Sequence, residues 1–352
     1  MKKLNKKVVI SVVTSASIAI SSSILMKNKD CLLPFYYGIE KDNIVHDSNI
    51  YAFKRNDYDN ISTYLSEQNY SVFADLIVNY DIIIPSIDNM VPQGITVMNE
   101  YFLISMYDYT KKSNSVICVL NKNGDLINVC YLNNNAHVGG ISYDGINGLV
   151  WITQKNGKID AYLPNSILNS KKALPIFLGL DVGQGLENYK YHWINSASFL
   201  AVNENKLFVG SFALNEPGFV KVYSISMDEN MKKISLIYDD TFLIPDKCQG
   251  ISFYRCDDVE YIVFSRSYGR DFSSILQICV YNTDNKDYYS NQEECVFIKT
   301  PEMMEQIIFH DDYLYGIFES GADPYLKDEG INNVFVLDAK KLIKTYKKNT
   351  SQ

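Results

Sequence analysis

The sequence predicts an all-β protein, a β-propeller of five blades, with six blades as the alternative. Three observations carry this expectation. One phrase occurs five times: a polar residue or glycine, an apolar strand, a short polar turn, and a second apolar strand ending in Ser or Thr. The copies recur at a nearly constant period, which is the signature of a blade array. Each copy continues with further short strands divided by Asn, Asp and Gly turns, as an all-β array requires. The 352 residues, 47% hydrophobic and 13% aromatic, are ample for a large core and exclude general disorder.

The N-terminus comes first along the chain. Lys2, Lys3, Lys6 and Lys7 precede an uncharged stretch, Val8 to Met26, which Lys27, Lys29 and Asp30 close off. A basic region before an apolar run is the pattern of an export signal, with the lysines kept in the cytoplasm. The run of 19 residues is just enough to cross a hydrocarbon core of roughly 30 Å. Residues 1–30 are therefore expected to be a signal or transmembrane anchor, either cleaved or retained, that puts the protein outside the cytoplasmic membrane. Cys31 follows Asn28, Lys29 and Asp30, not the small apolar context of a lipoprotein cysteine. Residues 31–70 read as a polar tether and cap, 71–340 as the propeller, and 341–352 as a polar tail.

The repeat reads Gln93-Gly94-Ile95 to Ser105, Gly139-Gly140-Ile141 to Thr153, Asn195-Ser196-Ala197 to Ser211, Gln249-Gly250-Ile251 to Ser265, and Glu305-Gln306-Ile307 to Ser320. With Gly94, Gly140, Ser196, Gly250 and Gln306 taken as equivalent, the steps are 46, 56, 54 and 56 residues. Third strands follow at Ser115–Leu120, Gly157–Tyr162, Gly218–Ser224, Ser274–Tyr281 and Asn332–Leu337. Fourth strands follow near Leu126–Leu132, Ala173–Leu178, Lys233–Tyr238 and Glu293–Ile298. The fifth copy lacks one. Leu76-Ile77-Val78-Asn79-Tyr80-Asp81 matches the fourth-strand phrase Leu236-Ile237-Tyr238-Asp239-Asp240 yet has no blade of its own. An outer strand near residues 74–79 is thus expected to complete the last blade and remove an open edge.

Seven cysteines leave at least one unpaired within a monomer. Cys118 and Cys130 flank the Asn123-Gly124 turn symmetrically, and Cys279 and Cys295 occupy matching places in the fourth copy. Both pairs are disulfide candidates in an oxidising compartment, or small core residues carried along with the repeat. No CxxC or Cys/His cluster indicates structural zinc.

In a four-stranded blade the connections into the first strand and those between the second and third strands emerge on one face. The turns between first and second strands here, such as Asn99-Glu100 and Asp257-Asp258, are short and ordinary. The other face gathers Gln93, His137, Tyr191-His192, Gln249 and Glu305, with Tyr107-Asp108, Ser265 to Arg270, and Glu319 with Asp323. A convergent ring of polar side chains at a channel mouth is the default binding site. Arg266 and Arg270 would suit a carboxylate or phosphate through bidentate hydrogen bonds, unless Arg266 pairs structurally with Glu305 or Glu319. His137, His192 and Glu305 are the candidate ligands of a divalent metal. No G-x-S-x-G elbow or glycine-rich phosphate loop is present. The net charge of −8 and pI near 5.1, with lysines clustered only at the termini, exclude nucleic acid as a partner.

The phrases Pro92-Gln93-Gly94-Ile95, His137-Val138-Gly139-Gly140-Ile141, Gln249-Gly250-Ile251 with Ser265 to Arg270, and Phe318-Glu319-Ser320-Gly321-Ala322 resemble a family of uncharacterised exported bacterial propellers across residues 90–340. That resemblance implies fold and export and carries no activity. More distantly, Ile141-Ser142-Tyr143-Asp144 to Trp151-Ile152-Thr153 is similar to blades of gluconolactonase-like and streptogramin-lyase-like propellers. That similarity implies a divalent metal at the channel mouth and is a fold-level analogy.

Three functions are compatible with these readings. The first is a displayed monomer binding a small or polymeric ligand, such as an anionic molecule or a cell-envelope component, through Gln93, His137, Gln249, Arg266, Arg270, Glu305 and Glu319. The second is a metal-assisted lyase or hydrolase acting on a sugar, lactone or envelope polymer. The third is a protein-interaction scaffold with an inert channel.

Overall fold

The computed structural model of the chain describes residues 44–45, 65, 70–79, 81–181, 196–228, 233–325 and 330–350. All of them fall in one compact unit, Glu40–Gln352. The segment from Val8 to Met26, nearly all of the tether, Cys31, His46 and His192 lie outside the described residues. Among the described residues no helix is long and apolar enough to cross a membrane.

Five antiparallel four-stranded sheets make five blades of a β-propeller. Blade 1 is Met90–Met98, Tyr101–Asp108, Val116–Asn121 and Leu126–Tyr131, and blade 2 is Ile141–Asp144, Leu149–Thr153, Lys158–Tyr162 and Phe177–Asp181. Blade 3 is Phe199–Asn203, Lys206–Gly210, Gly218–Met227 and Ile234–Ile244, and blade 4 is Cys248–Cys256, Val259–Arg266, Ser274–Val280 and Val296–Thr300. Blade 5 takes Met304–His310, Tyr313–Phe318 and Phe335–Asp338 from the C-terminal end and Ile77–Asn79 from the N-terminal side. Ile77 pairs with Leu337 and Asn79 with Val336, so the outer strand expected near residues 74–79 does complete the ring. Each innermost strand packs on the next, and the fifth packs on the first.

The short turns between first and second strands place Asn99, Glu204, Asp257, Asp258 and Asp311 at positive φ. Such turns match the twist of paired strands and favour small polar side chains. The repeated Ser or Thr is structural. Ser105 Oγ donates to Val138 O at 2.7 Å, and Thr153 Oγ1 accepts from Gly140 N at 2.9 Å, each where two buried segments meet.

Neighbouring blades are stitched by one recurring hydrogen bond. Tyr143 N donates to Thr96 Oγ1, Val202 N to Ser142 Oγ, and Phe309 N to Ser252 Oγ, at 2.8–3.0 Å. This register puts Phe199, rather than Ser196, in the place held by Gly140. The sequence alignment slipped because the third copy swaps the bulk of two facing positions. Phe199 fills the space on the inner strand, and Gly210 opposite makes room, since a Cβ there would lie 2.0 Å from the Phe199 ring.

Before the closing strand, helix Ser71–Leu76 sets Phe73 edge-on to Phe335 and Phe318, with ring centroids 5.3 and 6.5 Å away. The C-terminal residues expected as a polar tail instead belong to helix Ala339–Thr350. Ala339, Leu342, Ile343 and Tyr346 are buried at helical spacing beneath a lysine-rich outer face, a period that the lysines masked in sequence.

The cysteines divide. Cys279 and Cys295 form a disulfide with Cα atoms 4.5 Å apart. The pairing of Ile278 with Val296 puts them directly opposite one another. Cys118 and Cys130 are separate buried thiols, contrary to the pairing their spacing suggested. Cys118 faces Val129 and Cys130 faces Ile117, so a register one residue away from symmetry sends the two thiols to opposite faces of the sheet. An irregularity between Val119 and Leu120 accompanies that offset.

Candidate functional site

The mouth face holds a cavity of about 420 Å³ whose lining includes Gln93, Tyr107, His137, Gln154, Gln249, Tyr268, Glu305, Glu319 and Tyr325. Local backbone irregularity aims the inner residues into it. Pro92 pairs with Met106 and Gly94 with Ser105, so Gln93 is an extra residue on the inner strand. Gln249 is likewise extra between Cys248 and Gly250, and the same slip spans Glu305 and Gln306 between Met304 and Ile307. Bulges bend a strand and re-aim a side chain. Left-handed residues turn the chain beside these positions: Val138 just after His137, and Lys247 and Met303 two residues before Gln249 and Glu305, with φ of 50°, 58° and 61°. For a β-branched residue such as Val138 this backbone is strained.

Gln306, the residue after Glu305, supports the floor. Its amide donates to Ile141 O at 2.8 Å and Leu200 O at 3.1 Å, and its oxygen accepts from Ile141 N at 3.0 Å. A Cβ on Gly94 would lie 2.7 Å from that oxygen, so glycine is required for the close approach. The fully buried Gln306 side chain thus meets the innermost strands of the other four blades.

Two carboxyl groups dominate the electrostatics. Glu305 is 3% exposed, and among the described residues its carboxyl has no hydrogen-bond partner. Glu319 accepts from Gln93 Nε2 at 2.8 Å. Burial and the nearby Glu319 hold the Glu305 carboxyl well above the ordinary carboxylate range. Burial likewise pushes Glu319 up to about 7, against the Gln93 hydrogen bond and the charge of Arg270. Tyr107 and Tyr325 share a 3.0 Å hydrogen bond between their hydroxyls. Burial, that bond and the two carboxyls all raise the Tyr107 phenol. His137 stacks on Tyr107 with ring centroids 4.4 Å apart. Its outer edge stays open, yet the surrounding protein and the charge of Lys111 lower its pKa, favouring neutral imidazole.

The arginines are placed differently. Arg266 donates to Gln277 Oε1 at 2.9 Å, to Asp246 O at 3.1 Å and to the Asp246 carboxylate. Its structural partner is therefore Asp246, not Glu305 or Glu319. Arg270 donates to the carbonyls of Tyr325 and Ser320 and so holds Tyr325 at the rim. Neither guanidinium is part of the cavity lining. Asp108 accepts from Thr110, Lys112 and Ser113 backbone N–H groups, which outweigh burial and hold it below the usual range as a loop cap. Asp323 accepts from Ser86 Oγ at 3.1 Å.

His192 lies outside the described residues. Among the described residues no group of three or more His, Cys, Asp and Glu side chains is placed to hold a metal ion. Tyr325, Gln154 and Phe212 were missed by the sequence reading. Gln154 and Phe212 each follow the repeated Thr153 or Ser211, which is the signal that marks them.

These features define a β-propeller with an acidic, aromatic cup on one face. The sequence matches no family model and no curated protein. Similar solved structures include the tail fiber of Staphylococcus aureus phage P68, 15% identical with a TM-score of 0.46, covering 79% of this chain and 56% of that one. A gluconolactonase from Xanthomonas campestris, XC5397, is 11% identical with a TM-score of 0.37, covering 76% and 92%. The WD40 repeats of RRP9 are 9% identical with a TM-score of 0.38, covering 71% and 94%.

Proposed function

We propose that this protein is a ligand-binding propeller displayed outside the cytoplasmic membrane, taking a compact polar ligand into the cup. The observation that carries the reading is a nearly enclosed carboxyl, Glu305, that has no hydrogen-bond donor among the described residues and shares a cavity with Gln154, whose buried Nε2 has no partner among them either. A buried polar group without a partner is costly, and a ligand that bonds to it recovers that cost on binding. The anionic ligand expected from Arg266 and Arg270 is disfavoured, because those guanidiniums serve the protein and two carboxyls face the cup. Display outside the membrane is supported by the basic-apolar N-terminal pattern and by the Cys279–Cys295 disulfide, which suits an oxidising compartment.

The test is a thermal-stabilisation screen of the chain from Glu40 onward over neutral sugars, amines, sugar acids and phosphates. A ligand of the cup raises the midpoint of the wild type and not that of Tyr107→Ala or Gln154→Ala. Stabilisation that survives both substitutions for every hit would place binding elsewhere and overturn the reading. Hydrolysis of a sugar or lactone bond is a second reading, favoured by two carboxyls lining one cavity, both held above the ordinary carboxylate range by burial. It predicts turnover of glycoside or lactone substrates that Glu305→Gln abolishes.

A further inference from the structure

We infer that the cup binds a cationic head group, an organic ammonium, with Glu305 and Glu319 as its paired carboxylates and Tyr107, Tyr268 and Tyr325 as its aromatic wall. The inference rests on the cup being the binding site and adds the chemistry of its occupant. Three features of the cavity converge on it. Glu305 is nearly enclosed, belongs to the lining, and has no donor from any described residue. Glu319 beside it has one donor among the described residues, the Gln93 amide, and so keeps acceptor capacity toward the cavity. Tyr107 and Tyr325, hydrogen-bonded to each other, and the half-exposed Tyr268 with Phe212 at 6.3 Å present rings around the same space.

An ammonium offers three N–H donors and a positive charge, which two carboxylates and aromatic faces receive together. A neutral polyol carries no charge to compensate the pair, and an anion would be repelled by it. Among the described residues no group of three or more His, Cys, Asp and Glu side chains is placed to hold a divalent metal. Among the described residues the charged and titratable groups facing the pair are few. Tyr107 and Tyr325 stay protonated, Arg270 acts on Glu319 while bonded to the Tyr325 carbonyl, and His137, influenced by Lys111, lies beyond Tyr107. Without ligand, the carboxyls limit their repulsion by retaining a proton. The incoming ammonium replaces that proton as the compensating charge, and the proton leaves to solvent, so cation binding is accompanied by proton release.

The experiment uses matched probes on the chain from Glu40 onward. Glucosamine is compared with glucose and N-acetylglucosamine, and Nα-acetyllysine amide with its Nε-acetylated form, which separates a free amine from a polypeptide lysine as the source. The expected result is stabilisation by the amine of at least one set and none by its neutral counterparts. For the lysine probe, whose ammonium stays charged throughout, affinity should rise from pH 6 to pH 8, and calorimetry in buffers of different ionisation heat should show proton release. Glu305→Gln, which mimics the protonated side chain and keeps the fold, should weaken amine binding by about tenfold or more. Equal stabilisation by glucose and glucosamine, lost in Tyr107→Ala, would overturn the ammonium assignment while leaving the cup as the site. Silence of both amines, or amine binding unchanged in Glu305→Gln, would also overturn it.

Discussion

Burial and mutual repulsion keep protons on Glu305 and Glu319 at pH values where an exposed glutamate is ionised. The folded protein therefore binds protons that the unfolded chain has given up. Stability falls as pH rises through the window from the ordinary value of 4.5 to about 7 for Glu319, and the upward shift of Glu305 adds to the loss in the same direction. Each unit of upward shift corresponds to about 1.4 kcal/mol. Urea unfolding at pH 5 and pH 8 should show the wild type less stable at pH 8, and Glu319→Gln should flatten the difference. An unchanged slope in that variant would remove Glu319 from the explanation. Gln306→Ala should cost about 2–3 kcal/mol, since it strips partners from buried backbone groups of blades 2 and 3. The polar identity of Gln93, Gln249 and Glu305 was readable because each breaks an apolar strand at the same point of the phrase. That Arg266 turns to Asp246 was not readable, because Asp246 stands 20 residues earlier and meets it only through the blade register.

At the scale of elements, hairpins decided what spacing could not. Cys118 and Cys130 have the more symmetric spacing about a turn, yet a one-residue register offset separates them, whereas Cys279 and Cys295 face each other across a longer, looped connection. Alkylation of the unfolded, non-reduced chain should label Cys118, Cys130, Cys248 and Cys256 and spare Cys279 and Cys295. Cys295→Ser should lower stability by about 3 kcal/mol, the chain-entropy expectation for a loop of this length. Equal labelling of all cysteines would contradict the pairing. The strands themselves were legible from alternation and turn residues. The C-terminal helix was not, because its apolar positions are diluted by lysines that pair with Asp312 and Asp257 on neighbouring turns.

At the scale of the whole molecule, the ring is held shut by one short strand from the far end of the chain. A chain beginning at Glu40 retains Ile77–Asn79 and should unfold cooperatively, while one beginning at Asp81 loses that strand and the buried Phe73 and Leu76. The shorter chain exposes the edge of Phe335–Asp338 and should aggregate or lose its cooperative transition, measured by light scattering and calorimetry. A soluble, cooperatively folding shorter chain would show that closure is dispensable. This architecture was legible from the orphaned phrase at Leu76 because closure answers a general need, the satisfaction of an open sheet edge.

The sequence by itself determined the repeat, the closing strand and the polar residues that open each inner strand, since these follow from periodicity and local turn chemistry, while five blades rather than six was decided by the sheets. Only the tertiary structure decided which of those residues face one cavity, which arginine is spent on a neighbouring carboxylate, and which cysteines meet. Those outcomes depend on register, where a shift of one residue sends a side chain to the other face. They also depend on burial, which turned two ordinary glutamates into a proton-retaining pair.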